Sequence, residues 1–290
     1  MKISVVIGTY NQKDSLKLVL ESFFRQGLPP DIYEIVVVDS SSTDGTDKMI
    51  GSLKLNCPLN YIRQQNLGKS AARNRGVKEA RGEIIFFTDA DMIADPNLLN
   101  RHVETHQSHN DVAVEGITFN LKKQLAIEDL NPKHPDVEPY IKQKLKPFSK
   151  IKWAYFLSGN LSIQKNTFIE AGGFDENFSA YGWEDIELGY RLRKLPLIYN
   201  PQAINYHYHF VTNEDMLKRK YNMGRSAAYF FQKHRNFTIK MFLGMNPLAM
   251  GIFYLLKYLP FLRKMIKNQY ILEEYQYRLG LFDGLRNLEP

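Results

Sequence analysis

Short apolar runs at 3–7, 35–38, 59–62 and 84–88 recur through the first 120 residues, each followed by a stretch with helical periodicity. Those stretches are 15–25, 46–53, 70–80 and 96–107. The runs are rich in valine, isoleucine and phenylalanine and show little polar alternation, so both faces of each strand must be covered. Strands of that kind joined by amphipathic helices predict a mostly parallel sheet in βαβ units, an α/β fold. Ligands of such sheets bind beyond the carboxyl ends of the strands. The polar clusters of this chain fall at those ends.

The sharpest cluster is Phe86-Phe87-Thr88-Asp89-Ala90-Asp91. On a pleated backbone, carboxylates at i and i+2 point the same way, so Asp89 and Asp91 are expected to face one cation. Hard oxygen ligands with a phosphate as co-ligand suit Mg²⁺ or Mn²⁺. The first strand ends in Gly8-Thr9-Tyr10-Asn11, which offers amides, a hydroxyl and an aromatic face for a nucleobase. It has neither the G-x-G-x-x-G spacing of a dinucleotide fold nor a P-loop. The second strand ends at Asp39, followed by a hydroxyl-rich turn to Thr46. Asp39 is expected to accept the imide N–H of a uracil, whereas Asp44 reads as a helix cap. Asn66, Gly68 and Arg73 surround the start of the third helix, a natural anion site. Arg73 there either reaches a phosphate or holds Asp89.

In the second half, Gly159 and Asn160 interrupt an apolar stretch, and Trp183-Glu184-Asp185 opens a helix. Acidic residues suit a helix N-terminus for dipole reasons alone, but a tryptophan beside them also suggests a sugar-stacking ring. Tyr206-His207-Tyr208-His209 follows a short strand. Period-2 geometry puts both imidazoles on one face, so spacing does not choose between His207 and His209 as a metal ligand. Between 121 and 152 the periodicity fades into a proline-rich loop or lid, and after Asn213 the chain reads as helical.

The net charge of +7 admits nucleic acid, an anionic membrane face or a phosphorylated substrate. The basic residues are spread over many segments without an aromatic–basic array, so no nucleic-acid partner is expected. Cys57 is the single cysteine, which fits a reducing compartment. The first apolar run, about five residues, is too short for a signal peptide and reads as a buried strand. A cytoplasmic location is expected. The stretch 245–262 is mostly apolar, with Lys257 its only charge, and is broken by Pro247 and Pro260. Lys240, Arg263, Lys264 and Lys267 flank it. It reads as a packed helix, as an interfacial helix with basic flanks, or as a span slightly short of the roughly 20 residues required. Peripheral membrane contact through 240–267, at the cytoplasmic face of the inner membrane, is the second of these expectations.

Taken in order, Thr9-Tyr10-Asn11, Asp39 with Asp44-Gly45-Thr46, Asn66 through Arg73-Asn74, Asp89-Ala90-Asp91 and Gly182-Trp183-Glu184-Asp185 resemble glycosyltransferase family 2 with the GT-A fold. The second half is similar to the galactosyltransferase-type region shared by bacterial chondroitin-polymerase domains and animal β-1,4-galactosyltransferases. The resemblance covers roughly 1–235, and the joint order of five motifs is more specific than any one of them. It implies a transferase domain over 1–235, with a nucleotide-binding half at 1–120 and an acceptor half at 153–212. A helical extension at 236–290 follows.

The resemblance also implies roles. Thr9, Tyr10 and Asp39 would hold the nucleoside, with Asn11, Asn66, Gly68, Arg73 and Ala90 around the donor. Asp91 would ligate Mn²⁺ or Mg²⁺, with Asp89 on ribose or metal and His207 as the late ligand. Gly159 and Asn160 would approach the donor sugar or acceptor. Trp183 and Glu184 would contact sugar, and Asp185 would be the base. The implied partners are a nucleotide-sugar donor and a saccharide or lipid-linked saccharide acceptor. Gly8 and Ser40-Ser41 depart from the usual family residues, away from the chemistry. A nucleotidyltransferase would want a cation in the loop after the first strand, and a non-catalytic sugar-binding protein would be expected to lose Asp91 or Asp185; the sequence shows neither feature.

Overall fold

The apolar runs form parallel strands β1 (Ile3–Thr9), β2 (Tyr33–Asp39), β3 (Leu59–Arg63) and β4 (Ile84–Asp89), in the spatial order β3-β2-β1-β4. Helices α1 (Lys13–Phe23), α2 (Thr46–Ser52) and α3 (Lys69–Glu79) make the crossovers. The strands are covered on both faces, as their composition demands. Ile3, Val5 and Ile7 join one buried cluster with Leu16, Leu20 and Phe23 of α1, whereas Val6 joins another with Ala72 and Val77 of α3. Gly76 lets α3 lie close on the sheet, since a Cβ there would strike Val6. Phe86 and Phe87 are fully buried on opposite faces of β4, and truncating either to alanine would cost about 3–5 kcal/mol.

Beyond β4 the sheet stops being parallel. The chain makes β5 (Met92–Ala94), α4 (Leu98–Ser108), β6 (Ala113–Leu121), β7 (Val137–Pro139), β8 (Lys150–Ile151), β9 (Leu161–Gln164), α5 (Lys165–Glu170), α6 (Glu184–Arg191) and β10 (Leu197–His207). The order continues β4-β9-β6-β10-β5, with β7 on β6 and β8 on β10. Only β6 and β10 are parallel in this half; β9 and β5 run against their neighbours. The 121–152 stretch is largely irregular, with β7 and β8 as its short paired pieces.

The computed structural model describes residues 1–54, 56–178 and 181–287. They divide into two compact units: Met1–Glu176 with Leu188–Phe210, and Asn177–Glu187 with Val211–Pro290. The longer segment of the second unit begins at Val211. Helix α7 (Asn213–Lys233) belongs with α8 (Phe237–Phe242), α9 (Pro247–Tyr258), α10 (Pro260–Lys264) and α11 (Gln269–Asn287). The reason is close packing of α7 on α11, where a Cβ on Gly224 or Gly280 would strike the facing helix backbone. Leu259-Pro260 breaks α9 from α10, and among the described residues no helix is long and apolar enough to cross a membrane. That removes the spanning reading of 245–262.

Candidate active site

Strand register builds the first part of the site. Thr9 pairs with Asp39 and Gly8 with Asp89, so the ends of β2, β1 and β4 lie side by side where the crossovers change direction. Among the described residues Thr9 Oγ1 is buried without a hydrogen-bond partner, an uncommon cost of about 1–3 kcal/mol unless a ligand meets it. Tyr10 next to it is exposed. Asn11, held at φ 51°, accepts from Thr43 N at 2.8 Å and donates its own N–H to Ser42 Oγ at 2.8 Å.

Asp39, expected to meet the base, is buried and already accepts at both carboxylate oxygens. Its carboxylate is enclosed: Oδ1 accepts from Ser42 N and Oγ at 2.9 and 2.6 Å, and Oδ2 accepts from Tyr61 Oη at 2.6 Å. Burial, then the hydrogen bond to Asp39, pushes the Tyr61 phenol up. Asp39 thus shapes the loop on which Asn11 rests. Asp44 stands one residue before the N-cap of α2 and accepts from Thr46 N at 3.2 Å and from Lys13 N at 2.8 Å.

The two carboxylates of Asp89-Ala90-Asp91 part company. Strand β4 ends at Asp89 and a turn carries Ala90 and Asp91, so the pleat that would align them is interrupted. Asp89 accepts from Lys69 Nζ at 2.8 Å and from Arg73 Nη2 at 2.7 Å. Arg73 is almost fully buried, with its guanidinium 5.3 Å from the Phe174 ring centre. Burial alone would raise the Asp89 carboxyl; the Lys69 and Arg73 charges outweigh it and hold it below the usual carboxylate range. Ala90 is buried in the core, while Asn66 Oδ1 accepts from Gly68 N at 3.3 Å at the exposed start of α3.

Asp91 turns instead toward the end of β10. Met92 pairs with His207 across the β5–β10 ladder, and Tyr208 N donates to Asp91 O at 2.7 Å. His207 Nε2 and His209 Nδ1 lie 3.5 and 3.3 Å from Asp91 Oδ2. One ligand atom from each of the three residues lies within 4.8 Å of the others, and Asp89 is not part of that group. Asn120 Oδ1 stands 3.3 Å from His207 Nδ1, fixing the ring from behind. Burial would raise the Asp91 carboxyl, but hydrogen bonds from both histidines hold it well below its ordinary value. One carboxylate oxygen and two imidazole nitrogens form a donor set that fits a divalent transition cation.

Gly159 and Asn160 take different parts. Gly159 is partly exposed, and its carbonyl accepts from Thr88 Oγ1 at 3.1 Å and Asn205 Nδ2 at 2.7 Å. Asn160 is fully buried. Its amide donates to Ile117 O and Ala203 O, and its Oδ1 lies 2.9 Å from His102 Nε2. Ser162 Oγ links the other side of His102 to His106, at 2.7 and 2.8 Å. Asn160 therefore ties β6, β10 and α4 together beneath the site.

In the second unit, Gly182 (φ 88°) and Trp183 (φ 74°) make a left-handed turn into the N-terminus of α6. Glu184 is buried, and Asp185 Oδ1 accepts from Ile186 N at 2.8 Å. The Trp183 ring is not an open platform: Phe230, Phe242 and Tyr277 stand 6.2, 5.7 and 6.4 Å from it, centre to centre. Among the described residues its buried Nε1 has no hydrogen-bond partner. Glu187, given no role from sequence, is fully buried with His234 Nε2 at 2.7 Å and Lys233 Nζ at 3.1 Å, which anchors the first turn of α6 to the end of α7.

Comparison with known proteins gives the family and the fold. The family described as Glycosyl transferase family 2 matches residues 4–171, and that described as the N-terminal domain of galactosyltransferase matches 143–211. The uncharacterized glycosyltransferase YfnE of Bacillus subtilis is 26% identical over 81% of this chain and 71% of its own. The chain spans about half the length of the next curated relatives it matches, 47% and 51%. Among solved structures, S. aureus TarS 1-349 in complex with UDP superposes with a TM-score of 0.60 at 18% identity, covering 99% of this chain and 92% of that one. The mannosyltransferase PcManGT of Pyrobaculum calidifontis, in complex with GDP-Man and Mn²⁺, gives 0.63 at 16% identity over 99% and 88%. At such identity the structural likenesses establish the fold, which is that of GT-A glycosyltransferases.

Proposed function

The chain belongs to glycosyl transferase family 2, and on that premise we propose that it is a metal-dependent, inverting enzyme. It moves a hexosyl or N-acetylhexosaminyl group from a nucleoside-diphosphate donor, UDP-linked in the simplest reading, to a hydroxyl of a saccharide or lipid-linked saccharide. The observation that carries the reading is the meeting of Asp91, His207 and His209 at the end of the sheet. Nitrogen donors suit Mn²⁺ better than Mg²⁺, which prefers oxygen throughout. When bound, the cation offsets the charge that grows on the departing diphosphate. The TarS complexes with UDP and UDP-GlcNAc and the PcManGT complex with GDP-Man and Mn²⁺ support a nucleotide-sugar donor and such a cation.

The chain's own groups divide the remaining work. Thr9 offers a hydroxyl with no partner among the described residues, and the exposed Tyr10 ring can lie on a base. Asp89, neutralised by Lys69 and Arg73, stands at the donor end of β4, where it can accept from ribose. Asp185 at the start of α6 takes the proton of the acceptor hydroxyl, because a neutral hydroxyl is too weak a nucleophile alone. Glu184 binds sugar hydroxyls. In-line displacement of the leaving group by the acceptor oxygen inverts the anomeric configuration.

A lipid-linked acceptor would bring the chain to the cytoplasmic face of the inner membrane, in keeping with its lone, buried Cys57. The test is a panel of UDP-, GDP- and dTDP-sugars with Mn²⁺, scored by free nucleotide. Release from UDP-sugars above the others supports the reading; release from none of them rejects it.

A further inference from the structure

Helix α9 is built inside out for a helix that meets only water. Leu248, Ile252 and Leu255 recur at helical spacing on one side and are 77%, 51% and 50% exposed. Phe253 on the opposite side is buried, and Lys257 below it turns inward as well, its Nζ 3.2 Å from the centre of the Phe282 ring. A surface helix normally hides its leucines and shows its lysines. The apolar face continues past the Leu259-Pro260 break into Phe261 and Met265, both exposed. Scattered exposed apolar residues are ordinary, but a run over two successive helices marks a contact surface.

Charge says what it contacts. From residue 216 to 272 the sequence contains no aspartate or glutamate, while Lys240, Lys257, Arg263, Lys264 and Lys267 all lie within it. Lys240 and Lys267 are exposed. A two-fold contact between copies would set this cationic face against itself, which association disfavours. An apolar face on a stretch of chain that is basic and free of acidic residues matches the boundary between anionic headgroups and acyl chains. We propose that the outer face of α9 and α10 is a peripheral docking surface for membranes containing anionic lipid. It lies wholly within the second unit. The inference deepens the expectation of a lipid-linked acceptor without needing it: the test reads vesicle binding and not transfer, so either can fail alone.

The experiment is co-sedimentation of the full chain with mixed phosphatidylglycerol–phosphatidylcholine vesicles, against phosphatidylcholine alone. Binding to the mixed vesicles, weakened by salt, is expected. The combined variant Leu248→Ser, Ile252→Ser, Leu255→Ser should bind at least about tenfold more weakly with its circular dichroism unchanged, since these side chains are already exposed. Lys240→Gln with Lys267→Gln should weaken binding and flatten its salt dependence. Equal binding by the triple variant, or no binding to anionic vesicles, overturns the proposal. So does a dimer in sedimentation velocity that the triple variant abolishes, which would assign the face to a second copy.

Discussion

His207 and His209 stack their imidazoles 5.4 Å apart and 11° from parallel, and both rings face the Asp91 carboxylate. Strand periodicity puts the two on one side, and the structure gives both the same partner. His207→Ala and His209→Ala are each expected to weaken Mn²⁺ binding by about tenfold to a hundredfold. Titration of bound Mn²⁺ by electron paramagnetic resonance checks this. Wild-type affinity in either variant would remove that residue from the metal set.

Asn160 offers a test of scaffold against contact. Removing its amide strips partners from His102, Ile117 O and Ala203 O at a buried position. Asn160→Ala should therefore lose about 2–4 kcal/mol of stability, read as a lower urea midpoint, while the folded fraction keeps its affinity for UDP. Unchanged stability with weakened UDP binding would return Asn160 to the donor pocket.

The histidines beneath the site make stability pH-dependent. Burial pushes His102 down to about 3 and His106 down to about 4, both from 6.5. With folded values depressed, the unfolded chain takes up protons first. Stability is thus whole above pH 6.5 and is lost as pH falls toward the folded values, by up to about 1.4 kcal/mol per pH unit for each histidine. Urea midpoints should fall accordingly between about pH 7.5 and 5, a range above most carboxylate titration. His106→Asn should roughly halve the slope; an unaltered slope would mean that His106 is not buried neutral.

Asp185 is expected to act on the proton of the acceptor. Asp185→Asn should retain nucleotide binding, measured by calorimetry, and lose turnover by about a hundredfold to ten-thousandfold. Near-native turnover would pass the role to Glu184.

The parallel half of the fold was legible because its strands are apolar on both faces, as 3–7, 35–38 and 84–88 show directly. Strand β6 was not, because one neighbour, β9, is antiparallel to it and the other, β10, lies far along the chain. At the site, the sequence placed Thr9, Asp39 and Asp89 at strand ends, since that needs only strand length. It could not tell that Asp39 is closed off by Tyr61 and Ser42, or that the turn at Ala90 separates Asp91 from Asp89. Those outcomes depend on register between distant strands. The same holds for Glu187, whose partners Lys233 and His234 lie a whole helix away. Lys69 carried a readable signal, a cation directly after the Gly68 turn.

The central claim is that a cation held by Asp91 and its two histidines drives departure of the nucleotide. Its most direct measurement is nucleotide release from the preferred donor as Mn²⁺ is titrated into chelator-treated protein, for the wild type and for Asp91→Asn. Release that rises from baseline with Mn²⁺ in the wild type and stays at least about a hundredfold lower in the variant is predicted. Turnover that persists in excess chelator, or an Asp91→Asn protein that matches the wild type, would contradict it.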